Sequence, residues 1–227
     1  VSAAPPLVLA AHGSTNPAFA AVVEDLADQV RRSRPDLDVR IGYLDHGPPH
    51  LADAATPGAV VVPLLLSSGY HVAVDIPATA VGARVSPAAG PDPRLVAVLV
   101  TRLREAGWVE GTPVVLVAAG STEESALREV RDVGPRLAEA LGGVSVSVAF
   151  LSAGTPRLPD VLPATALSSY LLAPGSFSAM LTASGTPVVA APIGAAPELA
   201  AIILDRYAAT AAGPVVPAAQ PGRTAPM

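Results

Sequence analysis

Cysteine is absent from the 227 residues, and lysine with it, so all 14 basic residues are arginines. The first absence excludes disulfides, thiolate nucleophiles, iron–sulfur clusters and cysteine-ligated zinc. The second excludes Schiff-base chemistry and the lysine of a nucleotide-binding P-loop. Charge is scarce: charged residues make up 15%, the net charge is −5 and the pI is near 5.3. No basic footprint for nucleic acid exists, and no such partner is expected. The apolar runs, residues 59–66 among the longest, fall far short of a membrane span. The first six residues lack the basic and apolar regions of a secretory leader. A soluble, cytoplasmic chain without a membrane partner is therefore the expectation. The patterns GxGxxG, GxxxxGK(S/T) and GxSxG are missing as well, which argues against nucleotide binding and serine hydrolysis. What is present is a chain 51% apolar, enough for a globular core in one large domain or two of about 100 residues.

Short apolar runs alternate with longer amphipathic stretches, the pattern of βα units around a parallel sheet. Strands are predicted at residues 7–11, 39–44, 59–66, 113–119, 144–151, 167–173 and 187–191. Helices are predicted from Pro17 to about Arg34, from about Ile76, and over 94–106, 123–141 and 195–207. Asn16 suits a helix cap and Pro17 a first helical turn. The chain also repeats itself. VLAAHGST (8–15) matches VLVAAGST (115–122) at an offset of 107, and GYLD (42–45) falls on AFLS (149–152) at the same offset. LLLSSGYH (64–71) falls on YLLAPGSF (170–177) one residue out of that register. The fold class expected is α/β, as two tandem flavodoxin-like repeats, each a parallel sheet flanked by helices. The first repeat takes residues 1–110 and the second 111–210. Residues 211–227, rich in Pro and Ala without periodicity, are expected to form a disordered tail.

Ligands of parallel α/β sheets bind at the carboxyl ends of the strands. In the first repeat those ends carry His12-Gly13-Ser14, Asp45-His46 and Gly69-Tyr70-His71. Two imidazoles and a carboxylate converging on one mouth suit a divalent metal with open coordination positions. His12, Asp45 and His71 form that candidate set. His46 and His50 sit in the Pro-rich turn HGPPH and read as solvated loop residues, His46 being the better placed because it adjoins Asp45. In the second repeat His12 is matched by Ala119, Asp45 by Ser152 and His71 by Phe177, while Gly13/Gly120 and Ser14/Ser121 persist. Three scaffold residues have no reason to vanish together; three members of one site do. The first repeat is thus expected to hold the chemistry and the second to be degenerate.

HGS at 12–14, GYLDH at 42–46 and VPLLLSSGYHVAVDIP at 62–77 resemble the sirohydrochlorin chelatases, the class II cobalto- and ferrochelatases, in their long two-repeat form. The resemblance implies ATP-independent insertion of Fe²⁺ or Co²⁺ into sirohydrochlorin, the metal being substrate rather than permanent cofactor. It implies His12 and His71 as metal ligands. Asp45 stands where the family more often has Glu, and serves as ligand or as acceptor of pyrrole protons. The macrocycle, the tetrapyrrole partner, is expected in a cleft between the repeats. Tyr70 would pack on its face, and Ser14, Ser67, Ser68 and Ser121 would bond its edges. Arg84 and Arg94 are candidates for its carboxylates. With both walls in one chain, a monomer is expected. The rival readings are a metal-dependent hydrolase or lyase, and a metallochaperone or tetrapyrrole-binding protein without turnover.

Overall fold

A computed structural model describes residues 4–69 and 74–213. Tyr70 and His71, and the expected tail from residue 214 onward, lie outside the described residues.

The first half runs β1 (Leu7–Ala11), α1 (Pro17–Ser33), β2 (Val39–Tyr43), α2 (Leu51–Ala54), β3 (Val60–Pro63), α3 (Ile76–Thr79), β4 (Arg84–Val85) and α4 (Arg94–Glu105). The second runs β5 (Val114–Gly120), α5 (Glu124–Arg131), α6 (Val133–Ala140), β6 (Val146–Ala153), a 3-10 turn over Leu158–Val161, β7 (Ala166–Tyr170), α7 (Ser176–Ala183), β8 (Val188–Val189) and α8 (Pro197–Ala212). Each half folds into one four-stranded parallel sheet, in the orders β2-β1-β3-β4 and β6-β5-β7-β8. The fold is the two-repeat α/β architecture expected. Its registers repeat the sequence offsets: Ala11 pairs with Tyr43 as Ala118 does with Phe150, 107 positions on. Ala10 pairs with Pro63 as Val117 does with Ser169, so the third strands are displaced by 106.

Local chemistry accounts for the element ends. The Asn16 side chain accepts the Ala18 N–H at 2.9 Å and Pro17 opens α1, as its sequence predicts. The helix expected over 123–141 is instead two, broken at Asp132. Pro135 has no N–H to give the Arg131 carbonyl and its ring crowds that turn, so the ladder cannot pass through. Ala211 and Ala212, assigned by sequence to the tail, close α8.

Alternation along the strands sorts the core into layers. From β1, Leu7, Leu9 and Ala11 enter a large central cluster that also takes Leu95 and Leu99 of α4, Leu199 and Ile202 of α8, and Leu116 and Phe150 of the second sheet. Val8 and Ala10 face the other way, onto Leu51 and Ile76. Val115 and Val117 of β5 likewise face an outer layer with Leu158 and Leu181. The central layer is shared because the closing helices are exchanged. α4, which ends the first half, packs on β7 and α6, and α8, which ends the second, packs on α1, β3 and β4. Polar ties fix the exchange. Gln29 of α1 donates to the Ala195 carbonyl at 2.7 Å, Tyr207 of α8 to the Pro5 carbonyl at 2.7 Å, and Arg102 of α4 to the Ile193 carbonyl at 3.1 Å. The two halves thereby share one core, with the carboxyl ends of both sheets opening on a common cleft.

Candidate functional site

The cleft has a volume of about 640 Å³, within the range of small-molecule sites. It is lined by the turns that follow β1, β2, β3, β5, β6 and β7, and so belongs to both halves.

The β1 turn is built on Gly13, whose φ of +94° few other residues adopt. The turn after β2 lies close against it, since a Cβ on Gly13 would meet His46 O at 3.1 Å and His46 N at 3.2 Å. The Asp45 N–H donates to the His12 carbonyl at 3.0 Å. This backbone contact places the two side chains together, His12 Nε2 lying 3.5 Å from Asp45 Oδ2. They are 40% and 57% exposed, so water reaches both. His12 lines the cleft, whereas Asp45 stands behind it, on a smaller pocket of about 330 Å³ shared with Asp75 and Thr79. His46 also lines the cleft, although its turn reads in the sequence as a solvated loop. Its adjacency to Asp45 was the available signal. His50 only bridges β2 through its backbone and stays away from the cleft. Among the described residues no three His, Asp or Glu side chains are grouped to hold a metal.

Of the serines, Ser14, Ser67 and Ser121 line the cleft. Ser14 Oγ accepts the Asn16 N–H at 3.1 Å and Ser121 Oγ accepts the Glu123 N–H at 3.0 Å. Both organise a helix entry, which explains why they persist in both repeats. Ser68 is exposed and does not line the cleft; its backbone N–H donates to Glu129 Oε2 at 2.7 Å.

The opposite wall is largely apolar, although Ser121, Thr122, Ser152 and Ser176 also line it. Ala119, at the position of His12, and Phe177, at that of His71, both line the cleft and pack on the outer layer of the second sheet. Ser152, in the place of Asp45, donates to the Ala119 carbonyl at 2.7 Å and so ties the end of β6 to the end of β5. Phe19 of α1 adds a second ring, a lining residue for which the sequence offered no sign beyond helix periodicity.

The two candidate arginines are committed elsewhere. Arg84 donates to the carbonyls of Thr210, Ala211 and Gly213 and so satisfies the C-terminus of α8. Arg94 pairs with Asp92 at 2.9 Å and Asp205 at 2.6 Å. The Arg94 hydrogen bond holds the nearly buried Asp92 carboxyl below the usual carboxylate range. Among the described residues, no arginine lines the cleft.

Residues 6–106 match the CbiX family model. The sirohydrochlorin cobaltochelatase of Methanosarcina barkeri is 34% identical over 73 residues, 29% of this chain and 56% of that protein. The chain thus spans about half the length of the curated relatives it matches. SirB from Bacillus subtilis with Fe3+ superposes with a TM-score of 0.78 at 23% identity, over 92% of this chain and 96% of that one. SirB from Bacillus subtilis subspecies spizizenii in complex with cobalt gives 0.78 at 21%, over 92% and 95%. The resemblance drawn from the HGS, GYLDH and GYH motifs is borne out by the family match over residues 6–106, and the likeness of fold covers both repeats.

Proposed function

We propose that this chain, whose residues 6–106 match the CbiX family model, inserts Fe²⁺ or Co²⁺ into sirohydrochlorin for sirohaem or cobalamin synthesis, without ATP. The observation that carries the reading is His12 opening on a cleft whose far wall is largely apolar, with Asp45 at 3.5 Å behind the imidazole. A chelatase needs both features: a loosely held ion with open positions, and a flat apolar berth for a macrocycle.

In this reading His12 and His71 hold the incoming metal through imidazole nitrogen, a donor suited to both Fe²⁺ and Co²⁺. As the metal enters, two ring N–H protons must leave. Asp45, water-exposed and next to His12, takes them from the imidazole side and releases them to solvent. The macrocycle lies against Phe177 and Ala119, with Tyr70 on its face and the hydroxyls of Ser14, Ser67 and Ser121 at its edges. Both walls come from one chain, so a monomer is sufficient.

Anaerobic incubation with sirohydrochlorin and Co²⁺, followed by the absorbance change of metallation and with no nucleotide added, tests the proposal. Metallation no faster than in buffer would sink it. Binding of both ligands without turnover would instead identify a metallochaperone or tetrapyrrole carrier. Because Arg94 is spent on Asp92 and Asp205, Arg94→Gln is expected to lower the melting temperature while leaving KM for sirohydrochlorin within about twofold. A large rise in KM with no change in stability would return Arg94 to the substrate.

A further inference from the structure

The loop after β3, residues 64–69, lines the cleft and leads in sequence to His71. Its hydrogen bonds change owner along its length. At its start it is held by its own half, Leu64 N–H donating to the Ala10 carbonyl at 2.7 Å and Gly90 N–H to the Leu65 carbonyl at 2.9 Å. From Leu66 onward the described partners belong to the other half. The Leu66 carbonyl accepts the Tyr170 hydroxyl at 3.0 Å, and Ser68 N–H donates to Glu129 Oε2 at 2.7 Å. Gly90 packs so closely against this turn that a Cβ there would meet Leu66 O at 2.7 Å and Leu66 Cα at 2.8 Å.

The second repeat again supplies a control. Its equivalent loop, 171–175, is held from within: Ile193 N–H donates to the Leu171 carbonyl at 2.9 Å and Gly194 N–H to the Leu172 carbonyl at 2.8 Å. At the position of Ser68 it has Pro174, which has no N–H to be held. At the position of Glu129 the first repeat has Val22, which has no acceptor. Among the described residues the cross-brace therefore runs from the degenerate half to the loop of the chemically equipped half. A brace serving only to join the halves would have no reason to respect that difference.

We propose that Glu129 and Tyr170 are positioning residues for metal delivery, fixing residues 66–68 so that the chain enters the GYH motif from a set point. The inference rests on the chelatase reading above and assigns the second repeat a duty beyond walling the cleft. Tyr170 is buried, and burial pushes its phenol well above the ordinary value, so its hydroxyl stays a donor throughout the neutral range. Glu129 is half-buried and supplies a charged acceptor, the stronger of the two holds.

The test uses the full chain with Glu129→Ala, Glu129→Gln and Tyr170→Phe. Co²⁺ affinity is read from the ligand-field absorbance, sirohydrochlorin affinity from its fluorescence, and kcat and both KM values from metallation. Glu129→Ala is expected to weaken Co²⁺ binding about tenfold and to lower kcat, with a much smaller loss of sirohydrochlorin affinity, through Ser67, and a melting temperature close to wild type. Glu129→Gln, which keeps a carbonyl acceptor, is expected to recover most of the Co²⁺ affinity. Tyr170→Phe is expected to give the same split between the two ligands, whatever it costs in stability. Unchanged Co²⁺ affinity in Glu129→Ala, or an equal loss for both ligands, overturns the proposal. A wild-type chain that bound Co²⁺ but did not metallate would sink the chelatase reading alone, and the order of Co²⁺ affinities would still decide this one.

Discussion

The His12→Ala chain is expected to fold as wild type and to lose about 10²-fold or more of its metallation rate. Folding is spared because the imidazole is 40% exposed and makes no part of the apolar clusters, so its removal opens no cavity. Activity is lost because His12 is the imidazole at the end of β1 that opens on the cleft, and Asp45 behind it would be left without the group that links it to the ring nitrogens. Asp45→Asn should retain more activity than His12→Ala, since it keeps the shape of the turn and removes only the proton acceptor. His50→Ala supplies the control: that residue stands on the turn before α2, where its backbone alone bridges Tyr43, and its rate should match wild type. The measurement is the initial rate of Co²⁺ insertion alongside the thermal melt of each variant. A His12→Ala chain metallating at the wild-type rate would move the site elsewhere.

The paired registers were legible in the sequence because duplication leaves the same strand ends at a fixed offset, and the structure repeats them at 107 and 106. The loss of His12 and Asp45 at Ala119 and Ser152 was legible for the same reason. The exchange of α4 and α8 was not, since an apolar helix face says that it is buried but not against which sheet. Arg84 and Arg94 went astray through the same blindness to distance. Arg84 finds its carbonyls at Thr210 and Ala211, and Arg94 its second carboxylate at Asp205, over 100 positions away. Short elements such as α2, β4 and α7 lack enough periodicity to announce themselves. The break at Asp132 could have been read from Pro135, but the strong amphipathic pattern on either side masked it. His46 is exposed, as its turn suggested, and its place on the cleft wall comes from the Gly13 turn, a backbone contact with no side-chain signature.

Gly120→Ala and Gly13→Ala are expected to part company in a way that separates scaffold from site. Both glycines sit at φ +94°, so each substitution strains the backbone by about 1–3 kcal/mol. At Gly120 a new Cβ would also collide with the Ala153 carbonyl oxygen and meet Ala153 N at 2.9 Å. Both are backbone atoms of the paired strand, which cannot retreat without breaking the β5–β6 ladder. At Gly13 the nearest atoms, His46 O and N at 3.1 and 3.2 Å, belong to an exposed turn that can yield by a few tenths of an ångström. Gly120→Ala should therefore cost more stability, about 3–4 kcal/mol, or roughly 6–16 °C of melting temperature, against about 1–2 kcal/mol for Gly13→Ala. For activity the order reverses. The small shift at Gly13 moves the turn that sets His12 against Asp45, while the larger strain at Gly120 falls beside Ala119 and Ser152, which offer neither imidazole nor carboxylate. Gly13→Ala should lose about tenfold in kcat at a temperature where both variants are folded, and Gly120→Ala much less. Thermal melts and metallation rates on the same two proteins check both orders. If stability and activity fell together in the two variants, the glycine turns would be mere scaffold in both halves.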